Sequence, residues 1–169
     1  MSGVTPAIQP NWEQQLDTLL PLYGHRNWIV VADSAYPAQS KPGIETMVAD
    51  GDQISVVKRV LDAIAAARHV RAKVYTDHEL GFVVEDDAPG IEDYRRQLNG
   101  LLYGSRAQQL PHEQIIAKLD KSAEVFRILI IKTDMTIPYT SVFFELDCGY
   151  WSAEAEERLR RAIELGGSK

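Results

Sequence analysis

The segment Trp28–Ala32 constrains the fold more than any other part of the chain, because every residue in it is apolar. Side chains alternate between two faces along a strand, so a strand without a polar face has to be covered on both sides. Two further segments, Phe126–Ile131 and Val142–Leu146, are largely apolar and are also predicted to be strands. We therefore expect a central sheet that is buried under helices.

Helical patterns alternate with these strands. Leu16, Leu19 and Leu20 have helical spacing behind a capping Asn11, and residues 55–66 place their apolar side chains on one side of a helix. The other predicted elements are strands at 70–75 and 80–84 and helices at 91–102, 111–121 and 152–165. This alternation predicts an α/β fold in one domain over residues 11–169, including a C-terminal helix, behind a loose arm at residues 1–10.

Chain length and charge narrow the class of protein. A chain of 169 residues suits one domain, and its net charge of −6 disfavours nucleic acid as a partner, since such partners require a concentrated basic face. The single cysteine, Cys148, excludes an intrachain disulfide and favours a cytoplasmic location. No apolar segment approaches the ~20 residues that span a bilayer, and the N-terminus lacks the pattern of a signal peptide. We expect neither nucleic acid nor a membrane as a partner.

Motifs for bound cofactors and for a serine nucleophile are missing from the sequence. It contains no Gly-x-Gly-x-x-Gly, no Gly-x-x-x-x-Gly-Lys-Ser/Thr and no Gly-x-Ser-x-Gly. The histidines are not paired at the spacing of metal ligands on a helix. Asp77-His78-Glu79 offers three possible ligands, but neighbouring residues on a strand point to opposite faces. We therefore predict no cofactor and no metal.

Polar groups that can transfer protons lie where the predicted strands end. His25 precedes the first buried strand and Asp33 follows it, whereas Tyr139 and Ser141 lie between the last two strands. An imidazole has an ordinary pKa of ~6.5 and both donates and accepts a proton near neutral pH. The extended chain from His25 to Asp33 spans roughly 26 Å. One small ligand contacts both residues only if the chain bends near Asn27 or if the site is shared between two copies of the chain.

The chain resembles the ribose pyranase and fucose mutarotase (RbsD/FucU) family at segments that follow the family's order. These segments are Gly24-His25, Asp33-Ser34-Ala35-Tyr36-Pro37-Ala38, Val48-Ala49-Asp50-Gly51, His112-Glu113-Gln114 and Pro138-Tyr139. Four features depart from the family pattern. Ser34 separates an Asp-Ala pair, Asp134-Met135 replaces Gly-Glu, Ser141 stands where the family has Asn, and the interval from His112 to Tyr139 is longer than in the family.

The resemblance implies the fold, the activity and the assembly. The fold is a three-layer α/β arrangement with a mixed central sheet that is covered by helices on both faces. The activity is that of an isomerase, a mutarotase or pyranase that acts on a free monosaccharide without a cofactor. The assembly is a ring-shaped homo-oligomer with sites at the subunit interfaces. His25 is then the catalytic proton donor, and the substrate-binding residues are Asp33, His112, Tyr139 and Ser141.

Two other functions stay open. The first is a non-catalytic sugar-binding or regulatory protein on the same scaffold, with catalysis lost through the serine at position 141. The second is a hydrolase or isomerase that pairs carboxylates such as Asp33 and Asp134. The mutarotase hypothesis fits the missing cofactor motifs, because opening a sugar ring needs only one group that takes a proton and one that gives it, each typically contributing ~10²–10⁴-fold.

Overall fold

The computed structural model describes residues 11–167. Helices and strands alternate along this part of the chain. The helices are α1 (Trp12–Leu19), α2 (Gln53–Ala66), α3 (Ile91–Leu101), α4 (His112–Ala123) and α5 (Ala153–Gly166). The strands are β1 (Trp28–Ala32), β2 (Ile44–Val48), β3 (Val70–Asp77), β4 (Gln108–Leu110), β5 (Ile128–Lys132) and β6 (Val142–Cys148). The predicted N-terminal arm lies outside the described residues.

The strands form one mixed sheet in the order β2-β5-β1-β6-β3-β4. β1 pairs with β5 in parallel, and β6 lies antiparallel to both β1 and β3. Because β6 runs antiparallel to both of these neighbours, the carboxyl ends of β1 and β3 lie along the same edge of the sheet, one that is formed by strand ends. β6 begins at this edge, so three chain segments converge there.

The core divides into two clusters, one on each face of the sheet. Alternate residues of β1 contribute to each, with Ile29 and Val31 in one cluster and Trp28 and Val30 in the other. The first cluster includes apolar side chains of α1, α2 and α3, whereas the second includes those of α4. The predicted three-layer α/β fold, with helices on both faces of a mixed sheet, is confirmed.

Capping residues start several helices at the predicted places. The side chain of Asn11 accepts a hydrogen bond from the backbone N–H of Gln14, and Ser152 does the same for Ala155. Asp52 caps α2, which therefore begins at Gln53. This start places the polar side chain of Gln53 in the interior of the protein.

Two strands were not predicted, and one predicted strand is wrong. β2 and β4 lie at the two edges of the sheet and carry polar residues, so their sequences lack the apolar signal of a central strand. The segment predicted as a strand at 80–84 begins instead within a 3₁₀-helix, His78–Phe82. The Arg95 guanidinium donates to the carbonyls of Leu80 and Val83, at 3.0 and 2.6 Å, where a strand would need a ladder partner.

The C-terminal helix α5 lies on the surface, as none of its residues is buried. Leu159 and Ile163 are one turn apart on its exposed side. Among residues 11–167, none of the helices has the length and apolar content of a membrane span.

Candidate functional site

A cavity of about 500 Å³ opens where the ends of β1 and β3 meet the start of α4. Its walls combine aromatic rings with polar and acidic side chains. The lining includes Asp33, Tyr36, Gln39, His112, Glu113 and Tyr139. The topology explains this grouping, because Asp33 follows β1 directly and the loop that carries Tyr139 leads into β6 at the same edge. Three of the predicted site residues, Asp33, His112 and Tyr139, therefore share one cavity.

His112 is the first residue of α4 and is held at two points. Its backbone N–H donates to the Glu79 carboxylate, at 3.1 and 3.0 Å from the two oxygens. Its ring Nδ1 lies 3.0 Å from each carboxylate oxygen of Asp77. An ionised carboxylate only accepts hydrogen bonds, so Nδ1 carries the proton in this pair. The ring orientation and its tautomer are thereby fixed.

Asp77 is the last residue of β3, and its side chain is only 1% exposed. Burial raises the pKa of Asp77 from its ordinary value of 3.8 to about 6. The charge of His112 and its hydrogen bond act in the opposite direction, while Glu79 and Asp33 raise the pKa further. Sequence reasoning did not predict this pairing, although it singled out Asp77-His78-Glu79 as a possible ligand set. The 3₁₀-helix after Asp77 allows both Asp77 and Glu79 to contact His112.

Ser141 lies behind Asp33 and does not line the cavity. Its hydroxyl donates to the Asp33 carboxylate at 3.0 Å, and its hydroxyl oxygen accepts from the Asp33 backbone N–H at 3.4 Å. Ser141 is 3% exposed, whereas Asp33 is half-buried. In this arrangement Ser141 orients a cavity carboxylate and has no access to the cavity itself.

Tyr139 stands at the mouth of the cavity with an unusual backbone. Its φ is 62°, in the left-handed region that side chains other than glycine rarely adopt. Its ring meets the His112 ring edge-on, with centroids 5.8 Å apart and an interplanar angle of 79°. The residue is 40% exposed, which leaves part of it open to solvent or to a ligand. Strain of this kind is common in residues that a site holds in a required orientation.

A buried amide supports the site from beneath. The Gln53 side chain is 1% exposed and donates to the carbonyls of Val31 and Thr140, at 3.0 and 2.9 Å. Its oxygen accepts from the Thr133 hydroxyl at 2.7 Å. The Tyr94 hydroxyl donates to the same Thr140 carbonyl at 2.6 Å. Gln53 thus ties the end of β1, the end of β5 and the Tyr139 loop together, a role no sequence pattern revealed.

Tyr36 contributes a buried phenol to the cavity. Among residues 11–167, its hydroxyl makes no hydrogen bond of ordinary geometry. Burial raises the pKa of Tyr36, and the charges of Asp120, Asp77 and Asp33 act in the same direction. Gln39 interacts with the phenol and opposes the rise in its pKa. Tyr36 lies in the segment from Asp33 to Ala38 that resembles the family, but the resemblance implied no role for it in the site.

His25 lies at the other end of β1 from Asp33. Its Nδ1 is 2.8 Å from Asp147, and its side chain is 55% exposed. It lines a separate hollow of about 630 Å³, together with Arg71, Trp151 and other residues near the start of α5. The chain does turn just before β1, since the Asn27 N–H donates to the Gly24 carbonyl, but β1 then runs straight to the opposite edge. A single copy of the chain therefore does not bring His25 to the cavity that Asp33 lines.

Two further candidates from the sequence lie apart from the cavity. Asp134 is exposed and does not line it with Asp33, so the structure does not bring the proposed carboxylate pair together there. Within the described part of the chain, no three His, Cys, Asp or Glu side chains group as metal ligands would.

Comparison with known proteins identifies the family of the chain. The profile of the RbsD / FucU transport protein family matches residues 7–150. The chain belongs to the RbsD / FucU family. The match ends just before α5, so that helix lies beyond the shared region. No curated protein matches the sequence.

Solved structures of low sequence identity share the fold of this RbsD / FucU protein. RbsD of Bacillus subtilis, complexed with D-ribose, is 17% identical with a TM-score of 0.57, over 82% of this chain and 95% of that one. The fucose mutarotase of Streptococcus pneumoniae, in complex with L-fucose, is 20% identical with a TM-score of 0.50, over 87% and 98%. FucU of Bifidobacterium longum is 17% identical with a TM-score of 0.53, over 85% and 98%. Together with the family match, these neighbours confirm the predicted resemblance.

Proposed function

We propose that the chain binds a free monosaccharide in the cavity and interconverts its ring forms by acid–base ring opening. The observation that carries this proposal is the His112 imidazole, which a buried carboxylate holds in a cavity of about 500 Å³ that the Asp33 side chain also lines. That volume lies within the ~300–1,000 Å³ of small-molecule sites. Membership of the RbsD / FucU family supports a sugar as the ligand.

The walls offer the contacts that a sugar requires. A monosaccharide presents hydroxyl groups around its edge, which Asp33 and Gln39 can bind, and apolar C–H groups on its faces, which the Tyr139 ring can cover. Tyr36 also lines the cavity, with a hydroxyl that is shielded and lacks a well-formed partner among the described residues.

Ring opening transfers one proton from the anomeric hydroxyl and delivers another to the ring oxygen. An imidazole suits this reaction because its ordinary pKa is near neutral. We propose His25 as the proton donor, as the family resemblance implies. Since one copy places His25 at the far end of β1, this assignment requires a second copy whose His25 completes the cavity, as in a ring-shaped homo-oligomer. A cytoplasmic location fits a free monosaccharide as the substrate.

The alternative is a sugar-binding protein without catalysis. The arrangement of Ser141 supports this alternative, because the Ser141 side chain binds Asp33 and offers no hydrogen bond to a ligand in the cavity. An amide at this position would bring both a donor and an acceptor.

Saturation-transfer NMR distinguishes the two functions. D-ribose and L-fucose, the sugars bound to two structural neighbours, are the first probes, followed by other monosaccharides. The proposal expects magnetisation exchange between ring-form signals to be faster with protein than without it. Binding without faster exchange would support the non-catalytic alternative. If no monosaccharide in the panel shows binding or exchange, a sugar site in this cavity is refuted.

A further inference from the structure

Asp77 and His112 form a pair with a role beyond binding. Resting on the function proposed above, we propose that Asp77 is a positioning residue that makes His112 a proton-transfer group, with Nε2 as the atom that takes the proton of the anomeric hydroxyl. The resemblance implied only a substrate contact for His112 and gave Asp77 no role. The inference therefore adds a second proton-handling group to the site.

The geometry sets which nitrogen is free to react. Nδ1 donates to Asp77 at 3.0 Å, so in the neutral ring the lone pair is on Nε2. His112 lines the cavity with a side chain that is 31% exposed, and among residues 11–167 no hydrogen bond occupies Nε2. The backbone bond to Glu79 and the edge-on contact with Tyr139 hold the ring in place. Nε2 is thus a fixed acceptor beside the space that a sugar would fill.

Every proton and every electron pair in the proposed ring-opening step is accounted for. Nε2 takes the proton from the anomeric O–H, the electron pair of that bond forms the C=O of the aldehyde, and the bond from the anomeric carbon to the ring oxygen breaks. The ring oxygen takes a proton from an imidazolium, proposed above to be His25, or from water. Reclosure on either face of the aldehyde reverses each transfer and returns the proton from His112. No oxidant, reductant or other co-reactant is needed.

Asp77 stabilises the intermediate state of this cycle. When His112 becomes an imidazolium, a carboxylate at 3.0 Å lies against its other nitrogen. The charged or titratable groups around Asp77 are His112, Glu79 and Asp33, and Asp77 in turn acts on the phenols of Tyr36 and Tyr94. His112 is the cationic partner within this acidic group. A buried ionised carboxylate is costly unless it is paired, and an imidazolium at His112 would pair with Asp77 at 3.0 Å.

The test compares Asp77→Asn with Asp62→Asn, a surface carboxylate that pairs with Lys58 on α2. Asparagine keeps the shape of Asp77 but carries no charge, and its amide can donate to Nδ1 and so favour the other tautomer. We expect sugar affinity to stay within about 3-fold, while the exchange rate at saturating sugar falls by about 10²-fold, the lower end of general acid–base contributions. Asp62→Asn should change neither quantity.

A second readout needs no activity. Nitrogen-15 NMR of the sugar-free protein reports the tautomer of each histidine ring. In the wild type near pH 8, His112 should be the Nδ1–H form, and Asp77→Asn should shift it toward a mixture. Substituting His112→Gln provides another variant if Asp77→Asn does not fold, because glutamine can hydrogen-bond a hydroxyl but cannot carry the proton. It should retain binding within about 10-fold and lose exchange by about 10²-fold or more.

The outcomes separate this inference from the proposed function. If the wild type accelerates exchange and Asp77→Asn matches it, or if affinity and rate fall together in a folded variant, the positioning role is overturned. If the wild type accelerates ring-form exchange for none of the sugars, the proposed function fails, and the tautomer measurement alone tests the pairing of Asp77 with His112. An unchanged Nδ1–H tautomer in Asp77→Asn would then overturn the inference.

Discussion

The hydroxyl of Ser141 donates to the carboxylate of Asp33 at 3.0 Å, across the junction of β1 and β6. This bond fixes one oxygen of Asp33 and leaves the other for the cavity. Ser141 therefore stabilises the orientation of Asp33 rather than contacting a ligand itself. A site built this way depends on Ser141 indirectly.

Replacing Ser141 with alanine should weaken sugar binding without abolishing it. The Asp33 carboxylate would lose one hydrogen bond and gain rotational freedom, which corresponds to about 1 kcal/mol, or roughly 5-fold in the dissociation constant. Titration calorimetry with the best sugar of the panel measures this change. Ser55→Ala on α2, which also removes a serine–aspartate hydrogen bond but between two residues that do not line the cavity, is the matched control. An affinity loss of 100-fold or more would mean that Ser141 contacts the ligand directly.

Asp77 should make the stability of the protein depend on pH with a defined sign. Its folded pKa of about 6 lies above the ordinary value of 3.8, so its favourable contribution is complete below 3.8 and is lost as the pH rises through 6. Asp77→Asn has no such loss. The free energy of unfolding of this variant, relative to the wild type, should therefore increase by about 2 kcal/mol between pH 4 and pH 7.

Urea unfolding of both proteins across that pH range measures the difference, in which the other carboxylates largely cancel. For Asp62→Asn, the difference in unfolding free energy from the wild type should not depend on pH. If the difference for Asp77→Asn is also independent of pH, the buried carboxylate is not penalised by its surroundings. Together with the expected loss of exchange, a more stable Asp77→Asn would mean that the site retains a charge that the fold alone disfavours.

Gln53→Leu should destabilise the fold strongly. Leucine has a similar volume, but it leaves the buried Val31 carbonyl without its amide donor, while the Thr133 hydroxyl keeps only the Ala32 carbonyl as a partner. A buried group that loses its partner costs about 1–3 kcal/mol, and a loss of this size is expected from denaturant unfolding. Gln97→Leu, at an exposed position of α3, should change stability by less than about 0.5 kcal/mol. Equal effects of the two substitutions would contradict a supporting role for Gln53.

Tyr139→Gly should separate stability from binding. Glycine adopts φ values near 62° without strain. This gain offsets two losses, namely the ring contact with His112 and the greater conformational freedom of glycine in the unfolded chain. The unfolding free energy should thus change by less than about 1 kcal/mol. Sugar affinity should fall by about 10-fold or more, because the aromatic wall is gone. Thermal unfolding and saturation-transfer NMR measure the two effects, and unchanged binding would remove Tyr139 from the site.

The elements that the sequence predicted well are those whose signal is local. β1, β5 and β6 are apolar enough to be recognised as buried strands, and Asn11 and Ser152 cap their helices through contacts three residues away. β2 and β4 are edge strands, which pair on one side only and need no continuous apolar run. Their existence depends on neighbours that are distant in the sequence.

The site was predictable to the extent that strand ends determine it. Asp33 and Tyr139 converge because their segments end and begin strands at one edge of the sheet. The Asp77–His112 contact joins residues 35 positions apart and depends on where α4 begins. Gln53 was missed for a similar reason, since a glutamine at a helix start is ordinarily exposed and only the tertiary packing shows it buried.

Whether the two ends of β1 act in one site can be decided by mixing two variants. His25→Ala removes the imidazole at one end and leaves the cavity intact, whereas Asp33→Ala removes a cavity carboxylate and leaves His25 intact. Each variant alone should show greatly reduced exchange. If neighbouring copies in a ring share each site, co-expression at equal amounts creates some sites with both residues. Random assembly places an intact cavity next to an intact His25 in about a quarter of the sites, so about a quarter of the wild-type rate should return. Monomeric protein in light scattering, or a co-expressed mixture no more active than its components, would exclude a shared site and leave His25 without a part in the reaction.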